Sequence, residues 1–502
     1  MSQPPLSSAA PPSIAPPASA PFELTMPYPR ARRDTRARNV LIIAGLMSFL
    51  YGAQALVDVF RPKLKYETHH LVGILDDGVP NGVKATLWCY LASLGLALVI
   101  GLIGRATVVG AVDPAQRARR AHTVMLIVAG VLVVPFSMYP LSLLWSQLHY
   151  ALVCVPTSAF ALSLVYRMQR YRRMPVRLVL AASVWGGLIG AGFGGSMNIW
   201  LSDYYRNYAS SSSDDILRLE HDISSWVVLS AGIFEELGKG LGVAIIYILY
   251  RRYFDNVVSG IVVGAAVGLG FNLVESTEYM SAGLTAGQQF WFRQSLGLMG
   301  AHLAFTAVIG AAFGVARQTP DARQRRFVIA SGFLLAAAAH FANDAVLRFY
   351  GQVKAHWFST TSGVDILVVQ PILFLVLQGP IVVLYLLLLR AGLKQQRAGL
   401  AAELPAEARA GSGAVTDDEI DALMRPERRF YLRTQALFRY GLIGYRALGR
   451  LFAAQLDLGM QRWHRTRDEV DEFAPDEAVL RERVAERRAE WALLAELEAV
   501  PA

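Results

Sequence analysis

The chain has 502 residues, 54% of them hydrophobic and 17% charged, with a formal net charge of +9 at pH 7 and a mean hydropathy of +0.35. A soluble domain carries about 25% charged residues. Here the apolar excess is gathered into long runs, which excludes a soluble globular enzyme and points to an all-α polytopic membrane protein. The arginines sit in short loops between those runs, where they set topology rather than bind nucleic acid.

Residues 1–38 are predicted to be a disordered cytoplasmic tail, with nine prolines among Ser and Ala and a basic end from Arg30 to Arg38. The first apolar run starts near Asn39, too far along and too long for a cleavable signal peptide. Ten apolar runs follow, near 39–60, 84–104, 122–142, 147–166, 177–201, 223–250, 256–278, 295–316, 327–349 and 366–391. A corner containing Pro140 separates the third from the fourth. The first five, 39–201, read as accessory spans. Residues 223–350 hold spans six to nine, and 366–391 is span ten. The two cysteines, Cys89 and Cys154, both lie in apolar runs, so neither a disulfide framework nor a cysteine zinc knuckle is expected.

Basic residues follow every second run: Arg105 to Arg120, Arg167 to Arg177, Arg251 and Arg252, Arg317 to Arg326, and Arg390 to Arg397. The intervening loops are neutral, mixed or acidic, as in SSSSDDILRLEHD at 210–222. Positive short loops stay inside, so the chain is predicted to lie in the cell membrane with both termini cytoplasmic. Residues 393–502 are predicted to be a charged helical cytoplasmic region, entered through a small-residue linker (394–415) and a Thr416/Glu419 capping pattern. Within it, 430–452 mixes Arg with aromatics and leucines. It reads either as an ordinary cytoplasmic helical segment or as one lying on the membrane surface.

Ionisable groups inside the spans are few: Glu235, Glu236 and Lys239 in span six, Glu275 in span seven, His302 in span eight, and His340 and Asp344 in span nine. A charge at mid-bilayer costs about 2.5–3.5 kcal/mol on insertion scales, so such groups are expected to face one another. At about 1.5 Å of rise per residue, all seven overlap in depth in the outer half of the bilayer. Glu235 and Lys239 share a helix face, as do His340 and Asp344, and His302 and Thr306. Carboxylates beside imidazoles suit zinc hydrolysis, with a carboxylate as general base, and also suit a metal-free hydrolase. Structural readings compete: Lys239 as an intrahelical partner for the glutamates, His340 as an interhelical hydrogen bond, and Glu275 as an interfacial residue.

The order Glu235-Glu236-Leu237-Gly238-Lys239, Phe271-Asn272-Leu273-Val274-Glu275, His302-Leu303-Ala304-Phe305-Thr306 and His340-Phe341-Ala342-Asn343-Asp344 resembles the PrsW family of intramembrane metalloproteases over about residues 225–350. In the related type II CAAX endopeptidases the second motif ends in histidine, where this chain has Glu275. The resemblance implies hydrolysis of a peptide bond in a membrane-anchored protein near the extracytoplasmic side, with an anti-sigma factor as the suggested kind of substrate. It implies that Glu235 and Glu236 hold or activate water and that His302 and His340 bind metal or polarise water and carbonyl. Glu275, Lys239, Phe271, Thr306 and Asp344 would support them. The implied ligands of a divalent ion, Zn2+ by type, are His302, His340 and Glu236. Two other functions compete, a non-enzymatic scaffold or inactive relative and a proton-coupled transporter. The absence of an internal repeat argues against the transporter.

Topology reporters fused after residues 110, 172, 252, 320 and 396 are expected to read cytoplasmic, and after 77, 145, 214 and 360 extracytoplasmic. One reporter out of phase removes the ten-span count.

Overall fold

The structure is a computed structural model and describes residues 34–59, 80–212, 228–282, 285–354 and 362–499, apart from 470 and 472. The proline-rich stretch of the tail and most of the acidic 210–222 loop lie outside these residues. No strand occurs among the described residues.

The helices are α1 (Arg36–Val59), α2 (Asn81–Val109), α3 (Pro114–Val133), α4 (Met138–Ser146) and α5 (Leu148–Arg167). Then α6 (Val176–Val184) runs through a π turn, Trp185–Gly190, into α7 (Ala191–Ser212). A second π turn, Ala231–Glu235, opens α8 (Glu236–Tyr250). Next come α9 (Val257–Ser281), α10 (Ala286–Phe290), α11 (Ala301–Arg317), α12 (Ala322–Val353) and α13 (Gln370–Arg409). The chain ends in α14 (Asp417–Met424), α15 (Pro426–Thr466) and α16 (Glu477–Ala499).

Among the described residues, nine helical segments are long and apolar enough to cross a bilayer. They correspond to nine of the ten expected runs. The remaining one, 223–250, is helical from residue 228 onward. It stands outside the set because Glu235, Glu236 and Lys239 interrupt its apolar stretch and residues 223–227 are not described. The corner expected at Pro140 falls elsewhere: Pro140 lies inside α4, and the chain turns at Gln147 (φ −117°, ψ 35°). Large apolar side chains face outward along the spans, such as Ile42, Leu102, Phe160 and Leu387, as lipid contact requires.

Helix α9 is apolar all round and is buried along nearly its whole length, as such a helix must be. Its glycines let α11 come against it backbone to backbone. A Cβ at Gly264 would stand 2.2 Å from the Thr306 carbonyl oxygen, and one at Gly268 2.2 Å from that of His302. Small residues at four-residue spacing permit this approach. The zipper fixes the register of α11, with His302 beside Phe271. Helices α1 to α4 form a separate aromatic cluster with α7, in which Tyr51, Tyr90, Phe136 and Phe193 meet edge to face at 5.0–5.3 Å.

The expected linker at 394–415 is largely helical. Residues 394–409 continue α13, because the stretch is rich in Ala, Leu, Glu and Arg. Leu400 and Leu404 bury themselves against α15. The Thr416/Glu419 capping box is present at the start of α14. Helix α15 breaks at Gly441, whose φ of +64° suits glycine. Phe430, Tyr431, Phe438, Leu442 and Ile443 near the break are exposed.

This C-terminal unit is pinned to the ends of α5, α8 and α11. Arg172 bonds Asp255 at 2.7 Å and Asp457 at 3.1 Å. His464 reaches Asp255 at 3.1 Å through Nε2 and Glu469 at 3.2 Å through Nδ1. Arg317 donates to the Glu469 carbonyl. Burial pushes the His464 imidazole down, but its bonds to Asp255 and Glu469 outweigh this and raise it above its ordinary 6.5. Burial likewise pushes Asp255 up, and Arg172 and His464 bring it below its ordinary 3.8. The His464 contribution is therefore full below pH 6.5 and fades as pH rises through the raised value. The Asp255 contribution is full above pH 3.8 and fades as pH falls.

The hydrogen-exchange protection of α14–α16, taken relative to base-catalysed intrinsic exchange at each pH, is accordingly expected to fall between pH 6 and 9. His464→Gln should abolish that pH dependence and lower local stability at pH 6 by about 1.5–3 kcal/mol. Protection that is flat with pH in the wild type refutes the assignment.

Candidate active site

Two of the four π turns among the described residues, Trp185–Gly190 and Ala231–Glu235, lie where α7 and α8 meet, and π turns recur at functional sites. The α7 backbone presses against Glu235: a Cβ at Gly194 would stand 2.9 Å from the Glu235 Cγ. The turn Ala231–Glu235 widens the helix where Glu235 leaves it, and α8 then carries Glu236 and Lys239 inward. Both glutamates and Lys239 are buried.

The expected residues do come together. Glu236 Oε1 is 2.5 Å from Lys239 Nζ and 3.0 Å from His340 Nδ1. Its Oε2 accepts from the Thr306 hydroxyl at 3.3 Å. Lys239 Nζ also meets His302 Nδ1 at 3.0 Å and lies 4.0 Å over the Phe271 ring. His302 Nε2 pairs with Glu275, which Arg293 holds at 2.8 Å. His340 stacks on Phe305 at 5.2 Å and turns Nε2 toward Asp344 at 3.3 Å. The two imidazoles are 5.0 Å apart, edge to face. Glu275 is thus joined to this group of side chains through His302.

Four carboxylates, Glu235, Glu236, Glu275 and Asp344, face two fixed cations, Lys239 and Arg293. The surplus of negative charge suits a divalent ion. Glu235, His302 and His340 each offer a ligand atom, all within 4.8 Å of one another. Among the described residues Glu235 Oε2 is buried and accepts no hydrogen bond, which is the state of a carboxylate oxygen available to a cation. The third member of this group is Glu235, where the sequence pointed to Glu236. The Glu236 oxygens meet Lys239, His340 and Thr306.

Several contributors are not evident from the four motifs. Asn198 of α7 donates to Glu235 Oε1 at 2.9 Å, and Ser230 donates to Asn198 Oδ1 at 2.9 Å. Tyr139 of α4 donates to Glu278 at 2.7 Å. The accessory spans therefore reach the site through Asn198 and Tyr139. The signal available for Asn198 is a lone amide within an otherwise apolar run. Gln378, one of two glutamines in span ten, accepts from the Ala301 N–H at 2.9 Å and donates to Asn343 at 3.1 Å. A cavity of about 970 Å³ opens onto the group, lined among others by Glu235, His302, Tyr279, Arg293 and Phe374.

These features define a polytopic helical membrane protein with a buried carboxylate–imidazole site on adjacent helices. A family model described as PrsW family intramembrane metalloprotease matches residues 174–377. The match begins before α6 and runs into α13. It thus takes in Asn198, beyond the 225–350 read from the motifs. Comparison with curated proteins and with solved structures yields no match.

Ala301 has a φ of +38°, left-handed for a residue with a Cβ, immediately before His302. Such a conformation costs about 1–2 kcal/mol. Ala301→Gly is expected to leave thermal stability in detergent unchanged or raise it by up to about 1 kcal/mol. Ala301→Val should lower it. The opposite order would show that no strain resides there.

Proposed function

We propose that the protein is an intramembrane endopeptidase that hydrolyses a peptide bond of a membrane-anchored protein near the extracytoplasmic face. The observation that carries the reading is Glu235 Oε2, a buried carboxylate oxygen without a hydrogen bond, grouped with two imidazoles, with Glu235 and His302 lining a cavity large enough for an extended peptide. The family supports proteolysis in general; an anti-sigma-factor-like substrate is the finer suggestion of the same resemblance.

Glu235, His302 and His340 would hold a divalent ion, Zn2+ by ligand type, and that ion would supply Lewis acidity toward water and a substrate carbonyl. The chain's own residues do the rest. With the ion held by Glu235, a different carboxylate of the site serves as base, and without the ion Glu235 Oε2 does; the base takes a proton from water as the oxygen adds to the carbonyl carbon and returns it to the nitrogen that leaves as the C–N bond breaks. His340 is oriented from one side by Glu236 and from the other by Asp344, and His302 by Glu275 with Arg293 behind it. Lys239 balances the adjoining glutamates and anchors His302. The basic ends of α5, α8 and α11 lie on the cytoplasmic side in this reading. His302 and Arg317 are fifteen residues apart on α11, about 22 Å along the helix, which sets the site toward the other face.

The test needs no known substrate. New protein termini are mapped in membranes of cells expressing wild type, Glu235→Gln, His302→Ala or His340→Ala, together with the metal content of each purified protein. Termini present only with the wild type, and metal lost in the histidine variants, are expected. Identical termini from all four at equal expression overturn the protease reading in favour of a scaffold. Equal metal in all four removes the ion but keeps a metal-free hydrolase.

A further inference from the structure

We infer that Asn198 is the positioning residue that decides which oxygen of Glu235 faces the histidines. This rests on the hydrolase reading of the same group and adds a residue from outside its motifs. A glutamate carboxylate turns freely about its last torsion unless one oxygen is held. Here Asn198 Nδ2 holds Oε1 at 2.9 Å. The other oxygen, Oε2, is left without a hydrogen bond, 3.8 Å from both His340 Nε2 and Lys239 Nζ.

The amide could present either end to the carboxylate, and only its N–H₂ end attracts it. The acceptor-only carboxylate draws that end, and Ser230, which is buried, completes the arrangement by donating its hydroxyl to Asn198 Oδ1 at 2.9 Å. The relay runs from Ser230 through Asn198 to Oε1. Its components sit one on α7 and one just before the π turn that carries Glu235, so the two spans are locked at the point where the carboxylate emerges. The close approach of Gly194 to Glu235 leaves the side chain little room to swing clear of Asn198. A contact that merely packed α7 on α8 would not need an amide of fixed orientation, nor would it leave the opposite oxygen bare.

The experiment is a double-mutant cycle on the full chain in nanodiscs, reading zinc affinity by competition with a chromogenic chelator. Asn198→Leu keeps the bulk and removes the donor. It is expected to weaken zinc binding about 10–100-fold, the usual cost of losing a residue that orients a ligand. Glu235→Gln should weaken it at least as much, and the double variant no further, because Asn198 acts only through Glu235. Ser230→Ala, the milder change if Asn198→Leu does not fold, should give a smaller loss that also vanishes in the Glu235→Gln background. Losses that add in the double variant, or wild-type affinity in a folded Asn198→Leu, overturn the inference while leaving the hydrolase reading intact. If the wild type takes up no zinc, it is the metal that fails. The same cycle is then read on the cleavage rate, where a positioning role lowers kcat with KM unchanged and equal kcat in wild type and Asn198→Leu refutes it.

Discussion

Lys239 is completely buried, and its ammonium group touches almost everything that matters: Glu236 at 2.5 Å, His302 at 3.0 Å, Glu235 at 3.8 Å and the face of Phe271. A buried charge left unpaired is strongly destabilising, whereas one surrounded by hydrogen-bonding partners is tolerated. The same holds in reverse for the two glutamates. None of the three can be in the membrane without the others, and together they require the imidazoles that complete their shells. The arrangement of α8, α9, α11 and α12 follows from satisfying that set in a medium that offers no water.

The satisfaction is possible because the backbones come so close. The α9–α11 zipper brings Phe271 and Glu275 onto His302, and no side chain intervenes. A larger residue at Gly264 or Gly268 would push α11 outward and pull His302 away from Lys239. Close packing of small residues and clustering of ionisable ones are therefore one feature of this protein, seen from two sides.

The ionisable members of the site are legible in the sequence because each interrupts an apolar run, and such interruptions are too costly to be incidental. Nine of the ten expected spans are legible because apolar length reports directly on the bilayer. What is not legible is polarity without charge. Asn198, Ser230 and Gln378 are cheap enough in a span to pass as background, and only the fold reveals that they converge. The division of labour between Glu235 and Glu236 is equally hidden. They are neighbours in the chain, and the π turn, whose formation no local pattern announces, sends one to a closed set of partners and leaves the other with an open oxygen. The helical course of 394–409 is missed for a different reason: small residues read as a linker until Leu400 and Leu404 find a surface to cover.

The network around Arg172, Asp255, His464 and Arg317 ties down the ends of α5, α8 and α11 that lie farthest from His302. Three helices bound together at one end behave like the tines of a fork: stiff near the handle, compliant at the tips. Any widening needed to admit a substrate is thereby confined to the tips, where the cavity opens, while the spacing at the root stays constant. The charged C-terminal helices would then shape how far the cavity can yield without contributing an atom to it.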